Sequence, residues 1–202
     1  MTKKYKLDKN DTIKVDGRTL YRIIALVNIG TLVSIGDKGG YIESEANLSH
    51  EGRAWISRNA CVYDNAWVYD SAWVSGNACV YGSAHIVGNA QVVGNDQVSG
   101  YAWVAGDACI AGCACIAGNA LIEENDDYFC IQSFGLEGDT ITFFREKNGW
   151  CVYCGCFSGT VKEFRKKVKE THRDSLISQE YLLIADLMDL RIKRQELKNE
   201  VK

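Results

Sequence analysis

The residues of this chain that could do chemistry gather in its last third, around the stretch CGCFSGTVKEF that begins at Cys154. A glycine-rich turn from Gly155 to Gly159 leads into a helix whose Thr160 and Glu163 have capping-box spacing. Ser158, Gly159 and Thr160 would then offer free amide donors at a helix N-terminus, where the helix dipole favours an anion. Arg145 on a preceding strand and Lys162 could add positive charge. The spacing is not G-x-x-x-x-G-K-S/T, so it does not point to a nucleoside triphosphate. The plainer reading of the same residues is a capped helix after a tight turn.

Other candidate groups are weaker. Cys151, Cys154 and Cys156 admit zinc, but no fourth ligand is evident, and cysteines alternating along a strand beside Val152 read as core. No metal or cofactor is expected. The three histidines are His50, His85 and His172, which give little ground for a metal site of three imidazoles converging between neighbouring subunits. Asp96 stands where alanine is the rule; a corner carboxylate of this kind usually accepts turn amides. Lys162, Arg165, Lys166, Lys169 and Arg173 lie along one helix side, which could meet an acidic protein or a phosphate backbone and more simply is a solvated face.

These residues need elements to hold them. Residues 128–132, 140–145 and 150–154 read as strands of a small antiparallel sheet. A first helix follows with Val161, Phe164 and Val168 as its buried stripe. A second, from about Ser175 to Lys198, carries Leu183, Leu187, Leu190 and Leu197, a seam interrupted by Arg194 and suited to bundle packing or a short oligomer contact.

Ahead of that tail the sequence is periodic. From Ile56 to Ile122 a valine or isoleucine stands at every sixth position, and alanine stands two residues before each one, with Asp96 the exception. The two occupy alternate positions of a short strand and point to one side. Two residues after the aliphatic comes Gly or Asp, with Arg58 the departure, which marks a corner at positive φ. Gly40/Ile42 and Ala46/Leu48 extend the pattern backwards before Ser49 to Gly52 shifts its phase. Thr12–Val15 and Arg18–Ala25 flank Asp16-Gly17 as a hairpin that should cap the first coil.

Such a pattern resembles the hexapeptide-repeat, left-handed parallel β-helix proteins, in which three hexads make a triangular coil. The resemblance implies a mostly β fold: about four to five coils over residues 36–122, a β cap over 1–35, a polar linker at 123–127 and a small α+β domain over 128–202. Stacking sorts the outward residues into faces. One carries Trp55 and Trp73, one Cys61 and Cys79, one Trp67, His85 and Trp103, and Tyr63, Tyr69 and Tyr81 follow the inward aliphatics. So many outward aromatics, together with Leu183, Leu187 and Leu190, mark an interface, and the resemblance implies a homotrimer. Many relatives of that architecture are acyltransferases with a histidine base. Here His85 has no carboxylate in its stack and no inserted loop beside it, so catalysis is not expected.

Bulk properties narrow the class. A formal charge of −3 makes a general nucleic-acid coat unlikely, since that needs a basic excess. Nine cysteines with no secretory leader read as reduced thiols, and no run of 18 apolar residues occurs, so the expected place is the cytoplasm. The segments Gly36–Ser44, Asn47–Gly52, Thr142–Arg145, Cys154–Thr160 and Lys169–His172, taken with the Ala-x-Val hexads, resemble a group of phage and prophage β-helix repeat proteins of largely undefined role. That resemblance implies an accessory protein of a bacterial virus or its host. The expectation is a non-enzymatic oligomer that binds a host defence protein or sequesters a phosphorylated small molecule, with a hexapeptide-repeat acyltransferase and a structural or assembly component as the alternatives.

Overall fold

The computed structural model describes residues 2–135 and 138–200, the last two in backbone only, and the chain divides into two units after Asn125. The first unit opens with β1 (Tyr5–Val15), β2 (Arg18–Ala25) and β3 (Lys38–Ile42). Twelve short strands follow at the six-residue period: β4 (Trp55–Ile56), β5 (Cys61–Val62), β6 (Trp67–Val68), β7 (Trp73–Gly76), β8 (Cys79–Val80), β9 (His85–Ile86), β10 (Gln91–Gly94), β11 (Gln97–Val98), β12 (Trp103–Val104), β13 (Cys109–Gly112), β14 (Cys115–Ile116) and β15 (Leu121–Ile122). They stack as a parallel β-solenoid of about five turns. Its three faces are the orders β3-β5-β8-β11-β14, β4-β7-β10-β13 and β6-β9-β12-β15.

The alternation of alanine and a branched aliphatic explains the packing. Each such pair is fully buried, from Ala54/Ile56 to Ala120/Ile122, so the interior is a column of small and branched side chains in register. Every corner turns through positive φ, including Arg58 at 59° and Asp64 and Asp70 at 58°. Most corners need glycine for a second reason. A Cβ on Gly76 would sit 2.6 Å from the carbonyl oxygen of Gly94 in the next coil. Asparagines at one corner add a ladder, Asn59 to Asn77 to Asn95.

Both ends of the stack are closed by side chains. The backbone N–H groups of each coil donate to carbonyls of the next, as Trp55 does to Ala72, so the first coil's carbonyls have no coil before them. Lys4 Nζ donates to the carbonyls of Ala54 and Glu51 at 2.8 and 3.2 Å, and Tyr5 Oη donates to that of Leu48 at 2.7 Å. Burial pulls the Lys4 ammonium down to about 8. The expected hairpin is present, with Asp16 and Gly17 both at positive φ, and β2 extends the first face by pairing antiparallel with β3. It also covers that face: Leu20 packs with Tyr41, Cys61 and Tyr63, and Tyr63 Oη donates to Asp16. At the other end Asn125 Oδ1 accepts from the Cys109 amide at 2.7 Å.

The second unit is an antiparallel sheet of β16 (Tyr128–Phe134), β17 (Asp139–Glu146), β18 (Gly149–Cys154) and β19 (Phe157–Thr160), followed by α1 (Val161–His172) and α2 (Leu176–Glu200). Phe143, Val152, Phe164, Tyr181, Ala185 and Met188 form its core. No helix among the described residues is long and apolar enough to cross a membrane.

Asp96 lies in the column of alanines, fully buried, with Oδ1 accepting from the Ala114 amide at 2.8 Å. Burial raises its carboxyl to about 6. A raised carboxyl pKa means that the folded state holds the proton more tightly than the unfolded one. Its contribution is therefore full below about pH 4 and is lost as pH rises through 6. Asp96→Asn keeps the acceptor and removes the charge. We expect it to be more stable than the natural protein at pH 7.5 by about 1–2 kcal/mol, with the gap closing near pH 4, as read by denaturant unfolding at both pH values.

Candidate binding cavity in the carboxy-terminal unit

The residues named above for an anion site do not converge. Ser158, Gly159 and Thr160 are not a glycine-rich loop but the fourth strand of the sheet, and only Gly155 sits in a turn, at φ 55°. Pairing along β18 explains it: Cys151 to Cys154 alternate opposite Thr160 to Phe157, a hairpin too short to leave a loop. Thr160 does cap α1, yet Glu163 fills the place of an anion. Its Oε2 accepts from both the Thr160 amide and hydroxyl at 2.8 Å, while Thr160 Oγ1 accepts from the Glu163 amide. These bonds hold the Glu163 carboxyl below its usual range. Arg145 lies on β17, two strands from β19, and bonds Asp127 at 3.1 Å. Lys162 lies on α1 and is exposed.

What the fold brings together instead is a cavity of about 440 Å³ beside the Cys154-Gly155-Cys156 turn. Phe157 from β19, Phe164 and Val168 from α1 and Tyr181 from α2 form its apolar wall. Lys167, Thr171 and His172 from α1 and Asp139 from β17 supply its polar groups. Two segments of the sequence, Cys154–Phe157 and the end of α1, meet here because α1 folds back over the hairpin that precedes it. The His172 ring stacks on Tyr181 with centroids 5.5 Å apart. Burial raises the Cys154 thiol to about 11, and the Tyr181 hydroxyl, hydrogen-bonded to it, to about 12. Cys154 is thus a neutral thiol at physiological pH and not a nucleophile, whereas Cys156 is exposed. A volume of this size with an aromatic wall and few polar groups suits a small ligand with a flat ring.

Nothing in the sequence pointed to Lys167, Tyr181 or Asp139 at such a site. Thr171 and His172 were visible only as part of the Lys169–His172 motif, and nothing in local spacing ties Tyr181 to Cys154. No group of three or more His, Cys, Asp or Glu among the described residues is placed to hold a metal ion.

The outward aromatics of the first unit sort differently from their pattern. Trp55 and Tyr63 are buried, at 1% and 4% exposure, and Tyr63 packs against Leu20 of the amino-terminal hairpin. Neither is free to meet a partner. Tyr81 stacks on Tyr63 at 5.2 Å and is half-buried, as is Trp73. The third face remains open. Trp67, Tyr69, His85 and Trp103 form one interlocked group there, with His85 stacked on Trp103 at 5.1 Å and Trp67 on Tyr69 at 4.2 Å. His85 Nδ1 is enclosed with no hydrogen-bond partner among the described residues, and the ring is held by its aromatic neighbours. In the second unit Leu183, Leu187 and Leu190 are exposed.

No family model matches the chain, and no curated protein was found to be similar to it.

Two measurements follow. Thr160→Ala should lower stability by about 1 kcal/mol. The Glu163 bond contributes above the ordinary carboxyl range and is lost as pH falls through the lowered folded value, so Glu163→Gln should flatten the acid limb of the stability curve. In iodoacetamide labelling at pH 7.5 read by mass spectrometry, Cys156 should react at least about tenfold faster than Cys154.

Proposed function

We propose that the protein is a non-enzymatic binding protein in which the solenoid is a rigid carrier and the carboxy-terminal unit holds a small ligand. The observation that carries this reading is the meeting of Cys154–Phe157 with Lys167, Thr171 and His172 on one cavity walled by Phe157, Phe164 and Tyr181. An aromatic wall beside an ammonium and an imidazole favours a ligand with a flat ring and an acidic group, such as a nucleotide or another phosphorylated molecule. The raised Cys154 thiol favours retention of the ligand over covalent chemistry. The resemblance to phage β-helix repeat proteins suggests a purpose for such binding: withdrawing a signal molecule of a host defence system.

A second reading rests on a different surface. The open aromatic group at Trp67, Tyr69, His85 and Trp103 is the kind of patch that docks a protein, which favours a structural or surface-blocking role.

The test is native mass spectrometry of the protein purified gently from a bacterial host. A bound small molecule at one copy per chain, lost in Thr171→Trp, which places an indole in the cavity mouth, is the expected result. A chain that emerges empty, and whose melting temperature no nucleotide or phosphorylated metabolite raises, would overturn the reading.

A further inference from the structure

Helix α2 is apolar on two opposite sides. Tyr181, Ala185 and Met188 turn into the core of the second unit. Leu176, Leu183, Leu190 and Leu197 stand in water at 62–77% exposure, and they recur every seven residues. Such a repeat is one of the two apolar positions of a heptad; the other is held by Glu180, Leu187 and Arg194. A helix buried on one side by its own unit therefore presents a second seam on the other, apolar but for Glu180 and Arg194, along most of its 25 residues.

The two charges in that seam decide what can cover it. Parallel pairing with a second copy would set Glu180 against the partner's Glu180 and Arg194 against the partner's Arg194, like against like in both layers. Antiparallel pairing centred between Met188 and Asp189 sets Leu187 beside the partner's Leu190 and Leu183 beside the partner's Arg194. Glu180 then lies in the adjoining layer, within reach of that guanidinium, and the two-fold axis repeats the pair. Along one flank of the seam Asp186 comes opposite the partner's Lys193. Glu180 and Lys193 are exposed, and Arg194 approaches Asp126 of its own chain only at 4.0 Å.

We propose that the protein self-associates as a dimer through α2, the two helices antiparallel about a two-fold axis, with Glu180 of each copy paired to Arg194 of the other. An isologous interface of this kind closes on itself and leaves the cavity side of α2 untouched. The pairing goes beyond the ligand reading and stands without it.

Sedimentation equilibrium on the full chain tests it. The natural protein should be a dimer, and Leu183→Glu/Leu190→Glu a monomer, with the dissociation constant raised by more than about 100-fold. Circular dichroism should be unchanged, because both leucines are exposed in the single chain, and melting should lose the dependence on protein concentration that the dimer gives the natural protein. Glu180→Arg should weaken the dimer about tenfold, and adding Arg194→Glu should restore it. A monomeric natural protein overturns the proposal. So does an oligomer of any size, a trimer included, that survives the leucine substitutions, since another surface would then hold it. A dimer that the leucine change dissolves but the charge swaps leave unmoved overturns the antiparallel arrangement.

Discussion

Each coil of the solenoid spends its backbone N–H groups on the carbonyls of the coil that follows, and the rest of the first unit depends on that one-way ladder. A ladder with a direction leaves carbonyls free at one end and amides free at the other. The protein meets the first need with the Lys4 ammonium and the Tyr5 hydroxyl, and part of the second with the Asn125 amide oxygen. Burying an ammonium is costly, and the lowered Lys4 pKa records that cost. It is offset because the carbonyls it meets would otherwise be buried without a donor.

The same ladder fixes the surface. Stacking in register brings every outward residue over the one a full coil earlier, so the third face becomes a continuous aromatic group. Trp67 and Trp103 reach each other's neighbours through His85 and Tyr69. Near the amino-terminal end the hairpin curls over the first face and buries Tyr63. Two surfaces with similar composition therefore have opposite fates. The difference lies in what the chain folds over them.

In the second unit the governing contact is between α1 and the hairpin before it. Val161, Phe164 and Val168 seat the helix on β17 and β18, and that placement carries Lys167 and His172 to the turn at Gly155. The Thr160 and Glu163 exchange satisfies the helix start internally, so the strongest anion position in the unit is taken by a carboxylate of the chain itself. Charge for a ligand must come from the rim of the cavity instead.

The sequence by itself determined what is periodic or local. Alanine and a branched aliphatic two residues apart, repeated every six, dictate a column of inward side chains, Gly and Asp dictate corners at positive φ, Asp16-Gly17 dictates a hairpin, and Thr160 with Glu163 dictates a helix start. These are short-range rules, written within a few residues of where they act. The leucine spacing of α2 was legible for the same reason, since a heptad is read along one helix, whereas the exposure of those leucines was not. Only the tertiary structure decided the rest. Residues 157–160 became a strand because β18 was beside them to pair with. Tyr63 was buried by a hairpin some forty residues earlier in the chain. The cavity joins Asp139, Cys154, Lys167 and Tyr181, which share no spacing, because its position is set by packing between elements and packing leaves no period in the sequence.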